Sequence, residues 1–228
     1  MKAYLEIIEV EQLEASAGCL RDRLLIRLLS RTGCRISEAL AIKASDVDWS
    51  RGTVTILHLK ARVRLSCPAC SVRLSKTSRF CPNCGVRVER AVAEEKRRHR
   101  QRTVPLDGDT LQMLREYVRQ GGPWQEGYLF GLSRGHAWRV IRDCADRAKL
   151  GHLDNPETGQ ARGISPHRLR DAFAVRAVKM DDSGDGLRLL QEYLGHQSIT
   201  STMRYRKVSG EEQKEWYEKL WHGEEQHG

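Results

Sequence analysis

The 228-residue sequence lacks several features that define familiar classes of protein. It has no apolar run approaching the ~18 residues that a membrane-spanning helix needs. Its first twenty residues lack the basic start, apolar middle and small-residue cleavage site of a secretory signal. It contains neither a G-x-x-x-x-G-K-[ST] nor a G-x-G-x-x-G phosphate loop. We therefore expect an intracellular protein that has no membrane helix and does not hydrolyse nucleotides.

The sequence also lacks the composition of a disordered chain or of a secreted disulfide scaffold. Hydrophobic residues make up 39% and charged residues 30%, with Leu, Ile and Val recurring throughout, so a core can be buried. Seven cysteines are an odd number, which fits a reducing compartment better than a disulfide framework. The length allows one large domain or a domain that carries an insert.

Positive charge is concentrated in one segment. The chain carries 39 Lys and Arg against 30 Asp and Glu, a formal net charge of +9. From Lys60 to Arg102 there are 13 basic and three acidic residues, a net of +10, so the other 185 residues sum to −1. Such clustering is typical of a nucleic-acid contact, because each neutralised phosphate releases a counterion. The alternative is a solvated basic loop that improves solubility.

Four cysteines inside this segment have the spacing of a metal site: Cys67, Cys70, Cys81 and Cys84. They form C-x2-C, ten residues and C-x2-C, which predicts four thiolates around one Zn2+. About twenty residues bury too little surface to fold alone, so the predicted role of the zinc is structural. The alternative is two surface loops with free thiols. We expect the remaining Cys19, Cys34 and Cys144 to be small core residues.

The periodicity predicts a mainly helical body around one hairpin. Leu24 to Leu29 have helical spacing, and Gly33 is placed to end that helix. Thr53 to Leu59 predict a strand, with Thr103-Val104 as its partner, so that the cysteine segment is inserted at the hairpin tip. Further predictions are a helix capped by Asp109, a helix with Trp138, Ile141, Ala145 and Ala148 on its apolar stripe, a loop over 151–163, and helices starting at Ser165 and ending at Gly195.

Three short motifs occur in a fixed order in the helical part. They are Thr32-Gly33-Cys34-Arg35-Ile36-Ser37-Glu38, then Pro166-His167-Arg168-Leu169-Arg170, then Leu194-Gly195-His196 with Tyr205 nine residues on. Together they resemble the signature boxes of the tyrosine recombinases, the phage lambda integrase family. The resemblance runs from about Tyr4 to Ser209.

The resemblance implies a role for each of these residues. Arg35 and Arg170 match the two arginines that hold the scissile phosphate, and rigid guanidinium forks suit the extra charge of a pentacoordinate phosphorane. Tyr205 matches the nucleophile that forms a 3′-phosphotyrosine and releases a 5′-hydroxyl, so that rejoining needs no ATP. His167 and His196 match histidines that bind the phosphate and assist proton movement.

The family also uses a hairpin lysine as the acid for the leaving 5′-oxygen. Lys60 fits because it follows the predicted strand directly, whereas its rival Lys96 lies in a charge run without a strand signal. Glu38 matches an acidic position that orients neighbouring groups. Asp171 departs from the family, which often has His there; we expect it to pair with a nearby Arg outside the catalytic set.

The expected fold is therefore α+β: a mainly α-helical tyrosine recombinase catalytic domain over residues 1–228, with a small antiparallel sheet and a zinc ribbon inserted at residues 65–90. The separate N-terminal core-binding domain of the family is expected to be absent. The implied partner is double-stranded DNA in the cytoplasm of a prokaryote, associated with the nucleoid. The resemblance also implies self-association in a tetrameric synapse, in which the C-terminal tail 211–222 docks on a neighbouring protomer or folds back on its own domain.

Three functions follow, one preferred and two alternative. The preferred one is a site-specific recombinase or integrase that uses Tyr205. The alternatives are an enzyme like the type IB topoisomerases and a non-catalytic zinc-ribbon protein that binds DNA. A binding protein has no need of a tyrosine nine residues after His196, which favours an enzyme.

Overall fold

The computed structural model describes residues 2–57, 62–75, 77–88, 92–96, 101–122, 127–155, 158–196, 198–206 and 217. Contacts divide the chain into two units, one formed by Met1–Ile56 with Arg102–Gly228 and the other by Leu57–Gln101. The described helices are α1 (Ile7–Ala15), α2 (Leu20–Thr32), α3 (Ile36–Leu40), α4 (Gly108–Arg119), α5 (Arg134–Arg147), α6 (Pro166–Met180), α7 (Gly184–Leu194) and α8 (Ile199–Met203). Within this part of the chain, no helix is long and apolar enough to cross a membrane.

The strands are short, and wherever the register is given they pair antiparallel. They are β1 (Val47–Asp48), β2 (Thr53–Leu57), β3 (Arg62–Ser66), β4 (Arg73–Leu74), β5 (Val92–Lys96), β6 (Gln101–Pro105), β7 (Leu153–Asp154) and β8 (Ala161–Arg162). One sheet has the order β1-β2-β6 and another β4-β3-β5. The predicted hairpin is thus present as β2 and β6, and the α+β class with its small antiparallel sheets is confirmed.

Helix α2 forms the centre of the larger unit. Leu24, Leu25, Ile26, Leu28 and Leu29 are all fully or almost fully buried, and the helix packs against α1, α4 and α6. Burying the apolar surface of one such side chain contributes ~1.5–3 kcal/mol relative to leaving it exposed. The helix is therefore a rigid platform for the residues that follow it.

Gly33 ends α2 as predicted, with φ of 56°. Glycine adopts this left-handed conformation without strain. The lack of space around the residue also requires glycine. A Cβ at this position would lie 2.6 Å from Cδ1 of Phe173 and 2.9 Å from Cδ2 of Leu194. Helices α6 and α7 therefore approach the end of α2 through the space that a side chain would fill.

Several details differ from the sequence predictions. The cap of α4 is Asp107, two residues before the predicted cap Asp109, and its carboxylate accepts a hydrogen bond from the Thr110 amide. Trp138 is 41% exposed and Cys19 is also exposed, so neither is a core residue, whereas Cys34 and Cys144 are fully buried. The predicted loop 151–163 contains the small β7-β8 pair.

The smaller unit carries the four cysteines and strands β3, β4 and β5. Residues Arg62–Ser66 pair in register with Val92–Lys96, which adds a strand pair that the sequence did not predict. Cys67, Leu74 and Cys81 form its buried cluster, with Leu65, Val72 and Val88 packed around them. So small a cluster supports the expectation that packing alone does not stabilise this unit.

Candidate functional site

Arg170 is held at the meeting point of three helices. It lies in α6, which begins at Pro166 after the cap residue Ser165, and it is only 4% exposed. Its Nη1 donates to the Gly33 carbonyl at 2.5 Å, and its Nη2 donates to the Leu194 carbonyl at 2.8 Å. Both carbonyls belong to helix C-termini, whose partial negative charge favours a cation. The ends of α2 and α7 thus fix the guanidinium.

The partners described for Arg170 leave its positive charge uncompensated. They are the two carbonyls and Nε2 of His196 at 3.0 Å, all of them neutral acceptors. The buried Arg27 provides a contrast within the same unit, because its guanidinium binds the carboxylates of Glu14, Asp107 and Asp109. Burial and the neighbouring Arg35 lower the pKa of Arg170. The structure therefore holds a buried cation without a carboxylate among those partners.

Arg35 caps α3 and shares a buried carboxylate with a second arginine. Nη1 of Arg35 lies 2.8 Å from Oε1 of Glu38, and the Arg35 amide donates to Oε2. Arg102, from strand β6, donates from Nη2 to the same Oε2 at 2.7 Å. The Nε of Arg102 is buried without a hydrogen-bond partner in the described part of the chain. Such an orphan donor is unusual and requires an explanation.

Among the described residues, arginines outnumber carboxylates around Glu38. Arg35, Arg102 and Arg170 supply three positive charges and Glu38 one negative charge, which leaves an excess of two. Sequence reasoning counted Arg102 in the basic segment but gave it no role. Its contact with Glu38 joins residues 64 positions apart. No local spacing rule detects such a contact.

Glu38 is held as a carboxylate by its two arginines. Burial favours the neutral acid, but hydrogen bonds and charge from Arg102 and then Arg35 lower the pKa of Glu38 to about 2. The ordinary value is 4.5. A difference of this size corresponds to about 3 kcal/mol of stability at neutral pH. Glu38 thus stabilises the arrangement of the two guanidinium groups.

We predict that Glu38→Gln lowers the free energy of unfolding by about 3 kcal/mol at pH 7, because the partly buried Arg35 and Arg102 lose their counter-charge. Since the pKa of Glu38 is depressed on folding, its contribution is complete above pH ~5 and is lost as the pH falls towards 2. The stabilities of wild type and variant should therefore converge on acidification. Urea unfolding between pH 2 and pH 7 measures this.

Glu192→Gln is the matched control for that change. Its carboxylate lies 3.8 Å from Arg188 in an exposed pair, so its loss should change stability by less than about 1 kcal/mol. Equal effects of the two substitutions at pH 7 would contradict the role assigned to Glu38.

His196 has a defined protonation state. Guanidinium groups only donate, so the contact from Arg170 makes Nε2 the acceptor and leaves the proton on Nδ1. That Nδ1 lies 3.0 Å from the hydroxyl of Thr202 in α8 and donates to it. Burial, then Arg170 and Arg35, lower the pKa of His196 to about 4. The imidazole is therefore neutral at pH 7.

Tyr205 lies just after α8 and stacks on His196, with ring centroids 6.2 Å apart and planes 15° from parallel. Its hydroxyl donates to Oδ1 of Asp171 at 3.1 Å. Burial and the adjacent Asp171 raise the pKa of Tyr205 to about 12. The phenol is neutral, and it is already engaged by a carboxylate.

Asp171 also contacts the two remaining polar residues of the second motif. Its Oδ2 accepts from Arg168 at 2.8 Å, and its Oδ1 lies 3.4 Å from Nδ1 of His167. The pairing of Asp171 with an arginine was expected, whereas its contact with Tyr205 was not. His167 itself is 62% exposed at the edge of the group.

Five of the six predicted catalytic residues are therefore described as neighbours: Arg35, His167, Arg170, His196 and Tyr205. The sixth, Lys60, lies outside the described residues. The sequence argument against its rival was wrong, because Lys96 is not in an unstructured charge run. It ends strand β5 and pairs with Arg62.

The four predicted metal ligands lie together in the smaller unit. Their sulfur atoms are all within 4.8 Å of one another, with 3.6 Å between Cys67 and Cys84 and 3.5 Å between Cys70 and Cys81. The two loops have matching hydrogen bonds. The Cys67 amide donates to the Val72 carbonyl and the Cys81 amide to the Val86 carbonyl, both at 2.9 Å. Four such sulfurs can hold a metal ion.

The thiols favour a bound cation. The Val72 amide and then Asn83 lower the pKa of Cys70 to about 6. The Val86 amide favours the Cys84 thiolate too, but the nearby thiols Cys70 and Cys81 raise its pKa to about 12. Four thiolates therefore repel one another unless a positive ion lies between them, which is the chemistry of a four-cysteine metal site.

The fold is that of solved recombinase and integrase structures. The chain is similar to the crystal structure of XerA recombinase, with a TM-score of 0.63 and 19% identity over 96% of this chain and 64% of that one. It is similar to the catalytic domain of bacteriophage HP1 integrase, with a TM-score of 0.54 and 21% identity over 97% and 98% of the two chains.

Sequence comparison gives the family. The model of the phage integrase family matches residues 3–212, and the chain belongs to that family. It is 31% identical to tyrosine recombinase XerD of Neisseria meningitidis serogroup B over 190 residues, 83% of this chain and 51% of the relative. It is 29% identical to XerD of Mycobacterium leprae over 91% of this chain and 54% of the relative. The chain thus spans about half the length of these relatives.

Proposed function

We propose that this chain is the catalytic part of a site-specific DNA recombinase or integrase, acting on the DNA of a prokaryotic nucleoid. Tyr205 attacks a phosphodiester, forms a 3′-phosphotyrosine and releases a 5′-hydroxyl, and the reverse attack rejoins the strand without ATP. The family match and the XerD relatives support this proposal. Residues 1–228 would form the catalytic domain, with the zinc ribbon as an insertion at 65–90.

The uncompensated charge around Arg170 is the observation that carries the proposal. A phosphate carries the negative charge that the described partners of Arg170 do not supply, and its oxygens accept hydrogen bonds from guanidinium forks. The orphan Nε of Arg102 adds a donor that such a ligand can satisfy. Because these groups are already fixed by Gly33, Leu194 and Glu38, they stabilise developing charge without reorganising.

The remaining groups have distinct proposed roles. His196, fixed by Arg170 and Thr202, and His167 bind the phosphate beside the nucleophile. A lysine supplies the proton for the leaving 5′-oxygen. We keep Lys60 as the preferred acid because it follows the strand that the sequence predicts over Thr53 to Leu59, while the strand position of Lys96 makes it a stronger rival than its sequence suggested.

Covalent trapping tests the proposal. Duplexes with randomised sequence around a nick, together with fragments of the source genome, are incubated with the chain, and protein–DNA adducts are isolated under denaturing conditions. Enrichment of one duplex in a covalent adduct supports recombination chemistry. Binding without any adduct would leave the non-catalytic zinc-ribbon protein as the better reading.

We also propose that Cys67, Cys70, Cys81 and Cys84 bind one structural Zn2+. Close thiolates in two matching loops support this choice, because zinc accepts four sulfur ligands in tetrahedral sites. The zinc would supply folding free energy to the smaller unit and would take no part in strand transfer. The reaction chemistry therefore belongs to the residues around Arg170.

The basic insert is proposed to bind the DNA backbone. We predict that replacing residues 65–90 with a short turn weakens duplex binding and flattens its salt dependence, because fewer counterions are released. Fluorescence anisotropy across 50–300 mM salt measures both effects. An unchanged slope, in a variant whose remaining unit melts normally, would contradict this role.

Assembly into a tetrameric synapse is the last element of the proposal. The tail 211–222, apart from Tyr217, lies outside the described residues, so docking in trans and folding back remain two alternatives. A chain ending at Ser209 separates them. Loss of DNA-dependent oligomers from an intact monomer favours docking, and a lower melting temperature of the monomer favours folding back.

A further inference from the structure

Asp171 is the carboxylate that lies against the proposed nucleophile. It follows Arg170 directly in α6, and its Oδ1 accepts the Tyr205 hydroxyl at 3.1 Å. Arg168 occupies the other oxygen at 2.8 Å. The side chain is only 14% exposed, so packing restricts the directions that the carboxylate can take. One oxygen is thus anchored, and the other faces the phenol.

The nearby imidazole of His196 is poorly placed to take the phenolic proton. Its Nε2 already accepts from Arg170, and its Nδ1 carries a proton that is donated to Thr202. Because the ring stacks nearly parallel to Tyr205, its nitrogen lone pairs lie in their own plane rather than towards the phenol.

We propose that Asp171 is the general base that receives the Tyr205 proton during strand cleavage. This inference rests on the proposed function, in which Tyr205 attacks the scissile phosphorus. As the O–P bond to Tyr205 forms, the phenolic O–H bond breaks and its proton moves to Oδ1 of Asp171. The P–O5′ bond breaks, and the leaving oxygen takes a proton from the acid lysine. Rejoining reverses each step, so Asp171 returns its proton to the departing phenol.

The charges around the pair suit this transfer. Asp171 faces Arg168 and His167 on its own helix, while Tyr205 faces Asp171, Arg170, Arg204 and His196. The carboxylate keeps the phenol protonated until attack, since a phenolate beside it would be repelled. Attack on phosphorus moves electron density away from the phenol oxygen and makes its proton acidic. Asp171 then accepts the proton without any movement of the backbone.

The test uses Asp171→Asn in the full chain, on the duplex recovered by covalent trapping. Asparagine keeps the size and an acceptor oxygen but cannot take a proton. The single-turnover rate of adduct formation should fall at least about a hundredfold at pH 7, with unchanged duplex affinity. Wild-type cleavage should slow at acidic pH as carboxylates are protonated, and the variant should lose this acidic limb.

Asp182→Asn is the matched control, because Asp182 is exposed and its carboxylate lies 3.3 Å from Arg206, next to Tyr205. It should cleave as wild type does. A rate for Asp171→Asn within threefold of wild type, or a slowed rate with the wild-type pH profile, overturns the proposal. If wild type forms an adduct and Tyr205→Phe does not, the proposed recombinase function is supported even when Asp171→Asn cleaves normally. If wild type forms none, both proposals fail.

A measurement without DNA tests the contact itself. Carbon-13-labelled tyrosine in the full chain reports the Tyr205 titration by NMR. Asp171→Asn should lower the pKa of Tyr205 from about 12 towards its ordinary value, whereas Asp182→Asn should not. An unchanged Tyr205 titration in a folded Asp171→Asn protein overturns the proposal as well.

Discussion

Replacing Tyr205 with phenylalanine is expected to abolish the covalent protein–DNA adduct while leaving duplex binding within about twofold of wild type. Phenylalanine keeps the ring that stacks on His196 but has no oxygen to attack phosphorus. The loss should therefore exceed the ~100- to 10,000-fold that removal of an acid or base costs. Denaturing gels with end-labelled nicked duplex measure the adduct, and anisotropy measures binding.

Tyr128→Phe is the control for this substitution. The Tyr128 ring lies under the ammonium group of Lys43, at 4.7 Å from its centroid, and this contact needs only the ring. The control should form adduct at the wild-type rate. Peptide mapping of the wild-type adduct to another residue, or an undiminished adduct with Tyr205→Phe, would disprove the assignment of the nucleophile.

Removal of one metal ligand is expected to unfold the smaller unit. Cys81→Ser leaves three thiolates, and the apparent zinc affinity should fall by more than the ~10- to 100-fold that loss of a supporting hydrogen bond costs. Structural zinc supplies on the order of 10 kcal/mol of folding free energy in small domains, far more than the few buried residues around Cys67 and Leu74. Trypsin should then cut rapidly between residues 62 and 96, while the larger unit stays resistant.

Cys19→Ser gives a matched control, because Cys19 is an exposed cysteine outside the four-sulfur cluster. It should bind one equivalent of zinc and keep the wild-type protease resistance. Chelator treatment of wild type should reproduce the Cys81→Ser digestion pattern, and added zinc should reverse it. Protease resistance that survives both treatments would show that the unit folds without metal.

The sequence predicted those parts of the site that depend on local pattern. Arg35 and His196 follow the glycines that end α2 and α7, and Arg170 lies near the start of α6, which the Ser-Pro pair before His167 predicts. Cysteine spacing likewise identified the sulfur cluster. In each case the pattern that makes the prediction, a helix end or a metal-ligand spacing, spans only a few residues of sequence.

The sequence did not predict contacts between distant segments. Arg102 reaches Glu38, and Asp171 reaches Tyr205, across 64 and 34 positions. The strand formed by Val92–Lys96 was missed because its charged residues mask the alternation expected of a strand. Helical spacing placed Trp138 on the apolar stripe of α5 with Ile141 and Ala145, but only the latter two are buried, and the Trp138 ring contacts Arg142 instead.

The close packing of helices α6 and α7 against Gly33 has a consequence for how Arg170 reaches its position. Arg170 depends on carbonyls 137 and 24 positions away in sequence, so its guanidinium is fixed only once α2, α6 and α7 have all docked. A partly unfolded chain contains every arginine of the site but does not hold Arg170 against these carbonyls. The position of Arg170 is therefore a property of the docked tertiary structure of these three helices and not of any one of them.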